Sequence, residues 1–153
     1  MADPTELTPN PGDFLPFANG DVIDEKYTIR HLVGKGAQGA VYRARDTNVA
    51  RDVAIKVCQG WDSHLLEEAQ ALAKLECEYL CRVHSAFPLN NPNCICMVSE
   101  WLDGKTLDRC SDLTLNDLYS IASQVAKGLA YIHGESRTNG GPMLHRGTSS
   151  RPI

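Results

Sequence analysis

No stretch of this 153-residue chain is apolar for long enough to span a bilayer. The opening "MADPTELTPN" has neither the basic start nor the apolar run of a secretory signal. A membrane-spanning or secreted protein is therefore not expected, and the default compartment is the cytoplasm. An excess of basic residues is also missing. With 15 Lys and Arg against 19 Asp and Glu, the net charge is −4, which leaves no electrostatic footprint for nucleic acid or for an anionic membrane surface. The six cysteines lack zinc-knuckle spacing: Cys77-x3-Cys81 and Cys94-x-Cys96 are not C-x2-C. Without a signal peptide the thiols are expected to stay reduced, and Cys94 and Cys96 sit in an apolar stretch where cysteine is a common small core residue. No internal repeat is visible.

What is present fits one soluble globular domain, or most of one: 42% hydrophobic and 22% charged residues are ordinary, and the length suffices for a real core. Residues 1–20 carry Pro4, Pro9, Pro11 and Pro16 among acidic side chains without periodicity, which predicts a flexible leader and a folded part from Asp21. "YTIRHLVGKG", "AVYRARD" and "DVAIKVC" then alternate apolar and polar residues, as antiparallel strands do. "SHLLEEAQALAKLE" has helical spacing, with Ser63 placed to cap it. "RVHSAFPL" and "CICMVSEWL", split by the turn residues "NNPN", predict two more strands. Residues 115–133 align Leu118, Ile121, Ala122, Val125, Leu129 and Ile132 on one face, behind a Thr114/Asp117 capping box. "GESRTNGGP" (134–142) predicts a polar loop. The expected class is α+β: about five antiparallel strands, one helix against them, then a helical segment.

The chemistry centres on "VGKGAQGAVYRARDTNVARDVAIK", in which Gly34, Gly36 and Gly39 form G-x-G-x-x-G. A dinucleotide-binding fold needs a helix directly after these glycines, and here an alternating strand follows. A Walker loop needs Lys and Ser or Thr after the last glycine, where this chain has Ala40 and Val41. A glycine-rich hairpin between two strands remains. With Val41 two residues beyond it and Ala54-Ile55-Lys56 on the next strand, it resembles the protein-kinase signature. The order continues with acidic residues on the first helix, "MVSEWLDGKTL" resembling the hinge, and "ASQVAKGLAYIH" resembling the helix before the catalytic loop. The resemblance covers about residues 25–146 and is strongest to bacterial serine/threonine kinases. It implies an N-terminal lobe over 21–102 and the start of a C-terminal lobe over 103–146.

The resemblance also implies roles. Gly34, Lys35, Gly36, Ala37, Gln38 and Gly39 would cover the ATP phosphates, the glycines letting backbone N–H groups approach without an intervening Cβ. Val33, Val41 and Ala54 would wall the adenine. Backbone groups of Glu100 and Leu102 would bond its edge, with Ser99 behind it. Lys56 would pair with the α- and β-phosphates and be held by a carboxylate of the first helix, Glu68 rather than Glu67, which points about a third of a turn away. A lone Lys on a strand or two acids on a helix are ordinarily surface residues, and only the ordered combination outweighs that reading. His31, His64, His84 and His133 have no partner pattern and read as structural or surface groups.

After His145 and Arg146 the resemblance fails. Kinases continue H-R-D-L-K-P-x-N, where the Asp accepts the substrate hydroxyl proton and the Asn holds magnesium; this chain has Gly147 in place of the Asp and continues Thr-Ser-Ser-Arg-Pro-Ile. Those seven residues can be encoded GGG ACC TCA AGC CGT CCA ATA. Removal of two G's gives GAC CTC AAG CCG TCC AAT, or Asp-Leu-Lys-Pro-Ser-Asn. A frameshifted tail over 147–153 is the expectation. By resemblance the intact protein would transfer phosphate from Mg-ATP to protein Ser or Thr. The chain as written would bind ATP weakly, hold no metal and not catalyse, and the exposed apolar face of its last helix would leave it poorly soluble or partly unfolded beyond Asp103. A non-catalytic module docking on an intact partner kinase is the alternative.

Overall fold

In a computed structural model of the chain, the described residues are 12–36 and 39–138. They divide into two compact units. The larger takes in the residues up to Glu76 together with Cys81–Leu107, and the smaller comprises Cys77–Leu80 and the residues from Asp108 on.

The larger unit is built on one antiparallel sheet of six strands, one more than the sequence predicts. The strands are β1 (Val22–Ile23), β2 (Tyr27–Gly36), β3 (Gly39–Asp46), β4 (Arg51–Gln59), β5 (Val83–Asn90) and β6 (Asn93–Glu100), in the spatial order β1-β2-β3-β4-β6-β5. The extra strand is β1, which pairs with β2 through Val22↔Thr28 and Ile23↔Tyr27. Two residues are too few to show an alternating pattern. The turn behind β1 also lacks the usual residues: Asp24 and Glu25 take φ of 53° and 52°, a left-handed pair that hairpins ordinarily fill with Asn-Gly.

Alternation decides the two sheet faces. On β3, Ala40, Tyr42, Ala44 and Asp46 are buried, and on β4, Val53, Ile55 and Val57 are buried. Together with Ile23, Tyr27, Ile29, Cys94, Cys96 and Val98 they form the core. Val41, Arg43 and Arg45 on β3, and Asp52, Ala54 and Lys56 on β4, alternate with them on the opposite, half-buried face. Asp46 is a charged group in this core. Its carboxylate accepts from the backbone N–H groups of Asn48 and Val49 (3.1 and 3.4 Å) and pairs with Lys26 at 3.4 Å, which satisfies the burial.

The expectation of a leader up to residue 20 needs correction. Phe14, Leu15 and Phe17 pack against the core, Phe17 edge-on to Tyr42 with ring centroids 6.0 Å apart. The Gly20 N–H donates to the Ile29 carbonyl at 2.9 Å. Proline-rich composition marks the absence of regular structure, but three apolar side chains in the four residues 14–17 gain enough by burial to hold an irregular segment in place. Residues 1–11 lie outside the described residues.

None of the six cysteines is in a disulfide. Cys58, Cys94 and Cys96 are buried, whereas Cys77, Cys81 and Cys110 reach the surface to differing degrees. Burial pushes the Cys94 and Cys96 thiols above the ordinary value, so neither forms the reactive thiolate near neutral pH. Burial also pushes the Cys81 thiol up, so brief iodoacetamide treatment of the native chain is expected to label peptides carrying Cys77 and Cys110 first, Cys81 more slowly, and to spare the other three until denaturant is added. Equal labelling of Cys96 in the native chain would contradict the packing.

The first helix, α1 (Ser63–Leu72), is capped by Asp62, one residue before the predicted cap. Its Oδ1 accepts from the N–H groups of His64 and Leu65 at 2.9 and 3.4 Å. The helix is shorter than its pattern because its last turn tightens, with Lys74 and Leu75 donating to Ala71 and Leu72. It packs on β5 and β6.

In the smaller unit, α2 (Leu115–Thr138) starts at the predicted capping box. The Thr114 N–H donates to Asp117 Oδ2 at 2.8 Å, and the Asp117 N–H to Thr114 Oγ1 at 3.2 Å. It runs five residues past the predicted end, so 134–138 are helical rather than loop: one glycine costs only about 1 kcal/mol, and Glu135 and Arg137 favour propagation. Gly128 is the contact point of this unit, since a Cβ there would meet Leu80 Cδ2 and the Tyr79 carbonyl at 3.2 Å. Lys127 lies over the Tyr79 ring.

Candidate functional site

The glycine hairpin joins β2 to β3, with Gly34 opposite Val41, Lys35 opposite Ala40 and Gly36 opposite Gly39. Its tip residues Ala37 and Gln38 lie outside the described residues. A Cβ at Gly34 or Gly36 would meet nothing within 4 Å, whereas one at Gly39, whose φ is +130°, would lie 1.9 Å from the Val57 carbonyl oxygen. The first two glycines therefore keep one side of the hairpin open, and the third lets it lie against β4. From the core face, Lys35 is held by Asp13, with Nζ to Oδ2 at 2.5 Å.

Below the hairpin, register brings several predicted residues together. Lys56 stands opposite Val41 on one side and Met97 on the other, and Ala54 stands opposite Ser99. Strand alternation puts Val41, Ala54, Lys56, Met97 and Ser99 on the same half-buried face. A primary amine is thus set between apolar side chains, beside a backbone hairpin with open space at two glycines. Such a surface offers an apolar patch at Val41 and Ala54 with a positive charge beside it at Lys56. Val33 is exposed on β2, and Leu102, past the end of β6, is 62% exposed. The Glu100 N–H donates to the Arg82 carbonyl at 2.9 Å, and its side chain accepts from the Arg82 N–H at 2.7 Å. That ties the last residue of β6 to the segment leading into β5.

Two predicted features are not joined. Glu67 and Glu68 are both exposed on α1, and among the described residues no ion pair links either to Lys56. Nor do the described residues contain a group of three His, Cys, Asp or Glu side chains able to hold a metal. Gly147, expected from the resemblance to stand in place of the catalytic Asp, lies outside the described residues. Met97 was not singled out by its residue type. Its place two residues before Ser99 on an alternating strand is the signal that puts it on the same face as Lys56.

The same face continues past Ala54 into a polar cluster. Asp52 Oδ2 accepts from Arg43 Nε at 2.9 Å and from Arg43 Nη2, and Oδ1 accepts from Arg45 Nη1 at 3.1 Å. The Arg43 guanidinium also lies over the Trp101 ring, 4.7 Å from its centroid. Hydrogen bonds from Arg43 and then Arg45 hold the Asp52 carboxyl below its ordinary 3.8. Because the folded-state value is depressed, the stabilisation is present above about pH 3.8 and disappears as pH falls through the folded value. The stability gap between the native chain and Asp52→Asn, measured by denaturant unfolding, is expected at pH 7 and should close in acid. A gap that persists unchanged at pH 2 would contradict this.

The sequence profile described as the protein kinase domain matches residues 27–146. Among curated relatives, the serine/threonine-protein kinase PLK4 of Drosophila grimshawi is 30% identical over 149 residues, covering 88% of this chain and 18% of its own length. A probable serine/threonine-protein kinase of Clostridium acetobutylicum is 29% identical over 125 residues, covering 74% and 19%. The chain thus spans less than a fifth of the length of these two relatives. Among solved structures, the Mycobacterium tuberculosis PknI kinase domain superposes with a TM-score of 0.63 at 22% identity, over 78% of this chain and 52% of that one, a likeness of fold. No helix among the described residues is long and apolar enough to cross a membrane. With the profile spanning the hairpin, the Lys56 row, the end of β6 and all of α2, the chain belongs to the protein kinase family.

Proposed function

We propose that this chain is the nucleotide-facing part of a cytoplasmic serine/threonine protein kinase. In the intact protein it would bind Mg-ATP and support transfer of the γ-phosphoryl group to a protein Ser or Thr hydroxyl. The observation that carries the reading is the row Val41–Lys56–Met97 with Ala54 and Ser99 on the same face, next to a hairpin left open at Gly34 and Gly36. Lys56 would neutralise phosphate charge, Val41 and Ala54 would cover the base, and backbone groups of Glu100 and Leu102 would bond its edge. Glu68, exposed on α1, would be the carboxylate that holds Lys56 in the intact kinase.

As written, the chain would bind ATP weakly and transfer nothing. It has Gly147 where the family's proton-accepting carboxylate would stand. Residues 147–153 would be kinase codons read out of frame, which agrees with a profile match that stops at residue 146. Two measurements test the reading. Titration with a fluorescent ATP analogue should show weak binding that Lys56→Met reduces about tenfold, the loss of one charge-assisted contact. Sequencing the DNA across codons 144–153 should reveal a run that realigns to Asp-Leu-Lys-Pro-Ser-Asn. Analogue binding indifferent to Lys56 would refute the nucleotide site, and nucleotides that cannot be realigned would refute the frameshift.

A further inference from the structure

The strand β2 is irregular between Ile29 and His31: Ile29 pairs with Ala44 and His31 with Arg43, so Arg30 is the extra residue of a bulge. A bulge breaks alternation and re-aims side chains. Here Ile29 stays in the core while Arg30 and His31 are both exposed. They join Arg43, Arg45 and Asp52 in lining a groove of about 440 Å³, on the face of the sheet beyond Ala54.

The charges in this groove do not balance. Three guanidinium groups face one carboxylate, leaving a formal charge of about +2 before His31 is counted, in a chain whose total is −4. Asp52 spends its two oxygens on Arg43 Nε and Nη2 and on Arg45 Nη1. Arg43 is further held by the Trp101 ring. Two guanidiniums are therefore fixed in orientation, and among the described residues Arg43 Nη1 and Arg45 Nε and Nη2 have no further hydrogen bond. Among the described residues the Arg30 side chain has no ion-pair or hydrogen-bond partner. This is a preorganised set of donors with surplus positive charge, and fixed donors bind an anion without the ordering cost that loose ones carry.

We propose that this groove is a binding site for a phosphate monoester, separate from the nucleotide site. A phosphate monoester carries about −1.5 to −2 charge near pH 7 and three strong acceptor oxygens, which matches both the surplus charge and the number of guanidiniums. A carboxylate supplies half the charge and two coplanar oxygens, a role Asp52 already fills. The groove is open and larger than one phosphate, so the ester belongs on a chain, as phosphoserine or phosphothreonine in an extended peptide; free inorganic phosphate shares the chemistry and is the other source.

The test uses the full 153-residue chain and a fluorescein-labelled phosphoserine peptide with its unphosphorylated twin, followed by fluorescence anisotropy at low salt. The phosphopeptide is expected to bind at least about tenfold more tightly than the twin, and Arg30→Ala to remove about tenfold of that affinity. Arg30→Ala should fold normally, because its side chain is exposed and unpartnered, and it should leave ATP-analogue binding unchanged. Lys56→Met should have the converse effect, so failure of the nucleotide site and failure of this one are told apart. Inorganic phosphate competing as tightly as the peptide, with the same dependence on Arg30, would uphold the site and assign it to the free anion. Equal binding of the two peptides, or a phosphopeptide preference that survives Arg30→Ala, would overturn the proposal.

Discussion

Gly39→Ala is expected to lower the stability of the chain by about 3–5 kcal/mol, whereas Gly34→Ala and Gly36→Ala should each change it by less than about 1 kcal/mol. Two costs combine at Gly39. Its φ of +130° lies where L side chains collide with their own backbone, worth about 1–3 kcal/mol. A Cβ would also fall 1.9 Å from the Val57 carbonyl oxygen and 3.1 Å from Cys58 Cα. Both are strand backbone rather than the end of a flexible side chain. Relief requires β3 to separate from β4 where Ala40 pairs with Val57, in the middle of the core, and overpacking of this kind costs about 1–3 kcal/mol more.

At Gly34 and Gly36 an added methyl meets only open space, so any effect there should appear in ATP-analogue binding rather than in folding. Urea unfolding of the three variants checks the contrast. A Gly39→Ala midpoint equal to that of the native chain would show that the hairpin does not rest on β4.

The three glycines thus have two functions, which the motif by itself does not separate. G-x-G-x-x-G announces close approach of backbone to something, but whether that is a ligand or another strand depends on the long-range pairing of β3 with β4. Residues 40, 41, 54 and 56 were legible for a simpler reason. Alternation has a period of two, so once Val53, Ile55 and Val57 are assigned to the core, Ala54 and Lys56 must face the other way. The capping box of α2 was equally plain because both partners lie within four residues.

What could not be read shares a physical character. The strand β1 is too short for a pattern, and its turn uses Asp24 and Glu25 where a glycine would have given the signal. The bulge at Arg30 interrupts alternation without any glycine to mark it. The relation of Glu68 to Lys56 depends on where α1 rests against β5 and β6, a tertiary distance that helical periodicity does not contain.

The segment before Asp21 shows the limit of compositional reading most directly, and it carries the second large expected effect. A chain beginning at Asp21 should be less stable than the full chain by about 2–4 kcal/mol. Phe14, Leu15 and Phe17 are each half-buried against the core, and about half of the usual 1.5–3 kcal/mol per large apolar side chain is forfeited for each. The Gly20 N–H to Ile29 carbonyl bond is lost as well. The ion pair between Asp13 and Lys35 contributes less to stability, since both side chains keep some contact with water, but it acts at a sensitive place. Lys35 lies between Gly34 and Gly36 with its side chain on the core face, so Asp13 ties the hairpin down from the side opposite Val41 and Lys56.

Asp13→Ala should therefore leave the unfolding midpoint nearly unchanged and speed amide exchange across residues 34–41. The truncated chain should show both the faster exchange and the lower midpoint. If truncation left the midpoint where it was, the apolar contacts of residues 14–17 would have no energetic weight. If Asp13→Ala left exchange in the hairpin unaltered, the ion pair would be a surface contact and the hairpin would be held by its strand pairing alone.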